Sequence, residues 1–117
     1  MSGFTIELPM PPSVNKFVGR LGNSSSVVRQ WIRSADASMM SKGKIPEKVQ
    51  GYFNAAIVFD SGYFGKRDID NSLKPLLDYL QSRELIDNDR FCYFLEVTWG
   101  HAPEGCIVEI SPSRGEK

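Results

Sequence analysis

The sequence predicts a small α/β (α+β) domain, a mixed sheet of about four strands with two main helices packed on it. Three observations lead to this fold class. Two stretches repeat apolar residues at three- and four-residue steps, and four short stretches are rich in β-branched and aromatic residues. They follow one another as strand, helix, strand, helix, strand, strand. A length of 117 residues suits one domain, spanning 1–117, with a single core.

The first strand is Phe4-Thr5-Ile6-Glu7-Leu8, which alternates apolar and polar as a half-buried strand does. Pro9, Pro11 and Pro12 stop it, because proline cannot donate to a sheet ladder. Arg20 to Ser26 is rich in Gly, Asn and Ser and reads as a loop. From Val27 to about Ser41, Val28, Trp31, Ile32, Ala35 and Met39 recur at helical spacing. Trp31 is expected in the core. Arg29 and Arg33 share one helix face, either solvated or facing phosphate. Lys42-Gly43-Lys44-Ile45-Pro46 ends the helix.

Val49 to Asp60 is expected as a long strand, buried on both faces near its end. Ser61 to Arg67 is a loop. The second helix runs to about Ser82, with Leu73, Leu76, Leu77 and Leu80 as its apolar stripe. Pro75 fixes where it begins, since proline is tolerated only in the first turn. Ser72 is then the expected N-cap, with Asp70 just ahead. Phe91 to Trp99 and Cys106 to Ile110 are two more strands. They are expected to form a hairpin through Gly100-His101-Ala102-Pro103-Glu104-Gly105. The tail from Ser113 to Lys117 is expected to fray.

Composition excludes some classes. An apolar fraction of 41% and a charged fraction of 24% argue against a disordered chain. No apolar run approaches a membrane span, and Met1-Ser2-Gly3-Phe4 lacks a secretion-signal pattern. A cytoplasmic protein without a membrane partner is expected. Cys92 and Cys106 make no CxxC and no zinc spacing, and read as buried thiols. Net charge is zero, but it is unevenly spread. Residues 1–59 carry seven Lys/Arg against three Asp/Glu, and residues 60–117 seven against eleven. A basic half beside an acid-rich half fits a phosphate-binding surface around a metal pocket, and it also fits chance segregation of surface charge.

One stretch argues for chemistry. It is Lys66-Arg67-Asp68-Ile69-Asp70-Asn71-Ser72-Leu73-Lys74, answered by Asp87-Asn88-Asp89. In extended backbone Asp68 and Asp70 point the same way, with Cα atoms roughly 6.5 Å apart. Two like charges so placed repel unless a cation lies between them. Mg²⁺ suits such a pair, because it takes hard oxygen ligands and keeps several waters. Asp89 is the candidate third ligand, and Asp87 stands in reserve. Lys74 is placed to hold a phosphate or to stabilise transition-state charge. The competing reading is structural: Asp68 and Asp70 as helix-capping acids, and Asp87-Asn88-Asp89 as a turn. Tyr63 and Phe64, followed by Lys66 and Arg67, either meet bases and phosphates or serve as core aromatics beside solvated charges. The single His101 sits in an expected turn, which leaves a His-based triad without a source, and no Walker-type phosphate loop is present.

These segments resemble the RusA-type Holliday-junction resolvases, a family of small bacterial and phage endonucleases. The likeness rests on Leu8-Pro9-Met10-Pro11-Pro12-Ser13-Val14-Asn15-Lys16, on Arg67-Asp68-Ile69-Asp70-Asn71-Ser72-Leu73-Lys74, and on Leu85-Ile86-Asp87-Asn88-Asp89. It spans most of the chain. The resemblance implies a Mg²⁺-dependent nuclease, with Mn²⁺ as a substitute, and no small-molecule cofactor. It implies a homodimer that cuts opposed strands of branched, four-way DNA. It assigns Asp68, Asp70 and Asp89 as metal-binding catalytic acids and Lys74 as the catalytic lysine. Asn15, Lys16, Lys66, Arg67 and Asn71 fall where DNA contacts are expected. The chain has Asn88-Asp89 where the family often has an Asp-Asp pair, and it is less arginine-rich before Asp68. Two other classes stay in view, a branched-DNA-binding protein that does not cut and a metal-dependent phosphotransfer enzyme.

Overall fold

The computed structural model describes residues 3–13 and 24–114, with backbone alone at Ser24 and Ser25. Its elements in chain order are β1 (Phe4–Leu8), α1 (Ser24–Ser41), β2 (Phe53–Asp60), α2 (Leu73–Ser82), β3 (Cys92–Gly100) and β4 (Cys106–Pro112). Short 3₁₀ turns occupy Ser61–Tyr63, Ile69–Ser72 and Asp89–Phe91. The fold is mixed α/β, four strands and two main helices. Asn15, Lys16 and most of the expected Arg20–Ser26 loop lie outside the described residues, as do the last three residues of the tail.

The four strands form one sheet in the order β1-β4-β2-β3. β4 pairs antiparallel with both β1 and β2. β2 pairs parallel with β3. A parallel pair needs a crossover, and α2 lies in the one between β2 and β3. The expected β3–β4 hairpin is therefore wrong, because β2 lies between them. The five residues joining β3 to β4 cross the end of β2 and are pinned to it by Asp60. Its Oδ1 accepts the Ala102 N–H at 3.0 Å, and its N–H donates to the Gly105 carbonyl at 2.9 Å. Gly105 has φ +140°, and a Cβ there would meet the Met10 nitrogen at 2.0 Å. Glycine at this position lets the crossing pass close against the chain leaving β1.

Burial alternates along β2, with Phe53, Ala55, Ile57 and Phe59 buried and their neighbours half-buried. The expectation of burial on both faces is corrected: only one face carries the main core. That core joins Cys106, Val108 and Ile110 of β4 to Trp31, Ala35 and Met39 of α1 and to Leu76, Tyr79 and Leu80 of α2. Val49 is not in β2. It makes an isolated parallel bridge to Ile86, and Gly51, at φ +73°, turns the chain between that bridge and the strand. α1 begins three residues before the expected Val27. Its end falls as expected, with Gly43 at φ +87° just beyond. Trp31 is buried and its Nε1 donates to the Pro9 carbonyl at 3.0 Å.

The helices are tied by an ionic contact. Asp36 on α1 takes two hydrogen bonds from Arg83, at 2.8 and 2.7 Å, and one from the Tyr79 hydroxyl at 2.7 Å. The Arg83 guanidinium holds the Asp36 carboxyl below its ordinary range. Burial and the facing carboxylate push the Tyr79 hydroxyl upward. At the far edge, β3 has a partner on one side only, and Tyr93, Phe94 and Leu95 are exposed there. Among the described residues, no helix is long and apolar enough to cross a membrane.

Candidate functional site

The candidate acids lie at the two ends of the crossover between β2 and β3. Asp68 is extended, with φ −75° and ψ 136°, and Asp70 lies within the Ile69–Ser72 3₁₀ turn. The Asn71 N–H closes that turn on the Asp68 carbonyl at 3.1 Å. This corrects the expectation that the two acids sit in one extended run, since the alternation of a strand ends where the turn begins. Both side chains are exposed and make no hydrogen bond or ion pair among the described residues. Asn71 is half-buried, and Lys66 is exposed.

Ser72 occupies the N-cap position of α2 but does not cap with its side chain. It is only 1% exposed, and its hydroxyl donates to the Pro11 carbonyl at 3.2 Å. The Arg67 Nη1 donates to the same carbonyl at 2.7 Å and to the Ser72 Oγ at 3.1 Å. The Arg67 guanidinium also lies 4.7 Å from the centre of the Tyr63 ring. The proline loop after β1 is thus clamped to the mouth of α2. Arg67, expected to meet DNA, has this internal engagement. Tyr63 is half-buried. Phe64 is 68% exposed and stands edge-on to Trp99, so neither is a core aromatic.

Lys74 extends from the first turn of α2 to the third motif. Its Nζ lies 2.8 Å from Asp89 Oδ2 and 2.8 Å from Asp78 Oδ1. These carboxylates, Asp78 first, hold Lys74 above the ordinary lysine range, so it is an ammonium at neutral pH. Asp89 is half-buried, and its N–H donates to Gln81 Oε1 at 3.1 Å. The preceding Asn88 caps the Asp89–Phe91 turn, its Oδ1 accepting the Arg90 N–H at 3.0 Å.

Asp87 and Asp89 differ in their surroundings. Asp87 is paired with Lys48 at 2.8 Å and accepts the Gly51 N–H at 2.8 Å. Lys48 holds its carboxyl below the ordinary range. Asp87 is therefore committed to the stretch before β2, beside the Val49–Ile86 bridge. Asp89 faces the Lys74 ammonium. Three participants escaped the sequence reading. Asp78 had a legible signal, its four-residue spacing from Lys74 on a helix. The buried Ser72 hydroxyl and the Gln81 acceptor had none, because both depend on tertiary contacts.

The donors suit magnesium in kind. Asp68 and Asp70 offer hard, exposed carboxylate oxygens, and Mg²⁺ needs only one or two carboxylates beside its waters. Among the described residues, no three acid, histidine or cysteine side chains are gathered into a cage. The two thiols are not ligands of such a site. Cys106 is buried and pushed up to about 12 by burial, and Cys92 is raised by burial beside the Phe94 carbonyl. The chain matches no protein-family profile, and no curated protein matches it in sequence.

Proposed function

We propose that this chain is a Mg²⁺-dependent, structure-selective endodeoxyribonuclease that resolves four-way DNA junctions by paired phosphodiester hydrolysis. One observation carries the reading. The three segments of the sequence resemblance, far apart in the chain, are linked through side chains around α2. Arg67 and Ser72 bind the Pro11 carbonyl, and Lys74 binds Asp89. A chance Asp-x-Asp would not require the proline loop and the Asp89 turn to meet the same helix.

Asp68, Asp70 and Asp89 would hold the ion. When bound, it supplies a Lewis acid for the phosphoryl oxygen and makes water acidic enough to attack phosphorus. Lys74 brings a fixed positive charge to the developing phosphoryl negative charge. The exposed Lys66 and Phe64 stand on the loop before the acids, where a DNA strand would pass. A homodimer belongs to this reading, because symmetric cuts need two sites facing opposed strands. The open edge of β3, with Tyr93, Phe94 and Leu95 exposed, supports pairing with a second copy.

A second reading is a branched-DNA-binding protein that does not cut. The ion pair that ties Asp89 to Lys74 favours it, because one proposed ligand is already neutralised. Nicking of a synthetic four-way junction and of a linear duplex, with and without Mg²⁺, separates the two. The nuclease should cut only the junction and only with the metal, and Asp70→Asn should abolish cutting while junction binding survives. Cutting by Asp70→Asn in Mg²⁺ would sink the nuclease assignment. Binding by the wild type without any nick, in Mg²⁺ or Mn²⁺, would establish the second reading.

A further inference from the structure

We propose that Asp78 is a positioning residue for Lys74, receiving its ammonium when Asp89 turns to a divalent cation. The inference rests on the metal reading above. Lys74 is the second residue of α2, where a cation opposes the helix macrodipole. A lysine placed four residues before an acid is also the weaker orientation of such a pair. Helix stability therefore gives no reason for lysine at this position. Its side chain instead reaches out of the helix to Asp89 and shares one ammonium between two carboxylates at equal distance.

The two carboxylates are not equivalent. The Asp89 side chain is 22% exposed and the Asp78 side chain 58%. Asp89 is anchored through its N–H on Gln81, whereas Asp78 stands on the solvent side of the lysine's own helix. The ammonium occupies the cation position beside Asp89 Oδ2. A divalent ion that takes that oxygen expels it. Asp78 then retains the lysine one side-chain rotation away, with its charge still at the site. Without Asp78, the lysine has Asp89 as its one carboxylate and competes harder with the ion.

Binding of Mn²⁺ to the full chain, measured by titration calorimetry, tests this without reference to cleavage. Lys74→Gln should tighten Mn²⁺ binding, because the competing ammonium is gone. Asp78→Asn should weaken it about two- to five-fold, the range of one exposed ion pair. The same substitution in the Lys74→Gln background should change it by less than about 1.5-fold, and Asp78→Glu should restore the wild-type affinity. An equal loss in both backgrounds would make Asp78 a mere source of negative charge and overturn the inference. So would no loss in either. Failure of the wild type to bind Mn²⁺ would remove the metal reading itself. Mn²⁺ binding indifferent to Asp78 would leave that reading standing and refute this inference alone.

Discussion

Replacing Arg67 by methionine should loosen the fold in the absence of any nucleic acid. The Arg67 Nη1 makes two charge-assisted hydrogen bonds, to the Pro11 carbonyl at 2.7 Å and to Ser72 Oγ at 3.1 Å. Each such bond contributes about 1.5–3 kcal/mol when well buried. The contact over Tyr63 adds about 0.5–1 kcal/mol. Two features reduce the total. Ser72 Oγ donates to the Pro11 carbonyl at 3.2 Å, so neither partner is orphaned by the change. Arg67 is also only half-buried, and water recovers part of what is lost. About 2 kcal/mol remains for Arg67→Met. About 1 kcal/mol remains for Arg67→Lys, which keeps the charge but not the fork of donors. In a chain of this size that lowers the melting temperature by about 8 °C and about 4 °C. Urea and thermal unfolding of the DNA-free protein measure it directly. Unchanged midpoints, with the loss confined to junction affinity, would show that Arg67 serves phosphate and not the loop.

Two other outcomes follow from the same contacts. Asp89→Asn should abolish cleavage, whereas Asp87→Asn should leave the rate within about two-fold, since it breaks a partly exposed pair with Lys48 away from the α2 mouth. Parallel nicking assays of the two variants decide which acid belongs to the site, and the reverse ranking would transfer the role to Asp87. Stability should fall in acid. Asp36 has its folded pKa depressed by Arg83, so its contribution is present above the unfolded value of about 3.9 and is lost as pH falls through the folded one. The urea midpoint should therefore hold from neutral pH to about pH 5 and drop below about pH 4. Asp36→Asn should flatten part of that drop, and an unchanged pH profile in that variant would count against the α1–α2 tie.

The elements were legible because their signals are local. Pro75 placed the start of α2, and the leucines at helical spacing marked its buried side, with Leu76 and Leu80 fully covered. Alternation in Phe4–Leu8 marked β1. The pairing was not legible. Five residues between two strands suit a hairpin, and nothing local distinguishes a hairpin from a connection that passes over a third strand. The decisive residue, Asp60, is at the end of β2 and acts through bonds to Ala102 and Gly105, more than forty residues away. Gly51 is a similar case: its positive φ cuts the expected long strand, while the apolar pattern runs across it.

The candidate site shows the same division. Residue types near one another in sequence announced Asp68, Asp70 and Lys74, but their geometry came from contacts made elsewhere. Ser72 has the sequence signature of a helix cap, and its hydroxyl is spent on the proline loop, because the Pro11 carbonyl would otherwise depend on Arg67 alone. That exchange has a physical consequence. The helix start gives up a side-chain cap and accepts a lysine in its first turn, both unfavourable for an isolated helix. In return, the proline loop, the acids and the Asp89 turn are held around one helix end. Local rules broken together at a single place, with the core of α2 otherwise regular, are where a fold accommodates function in preference to stability.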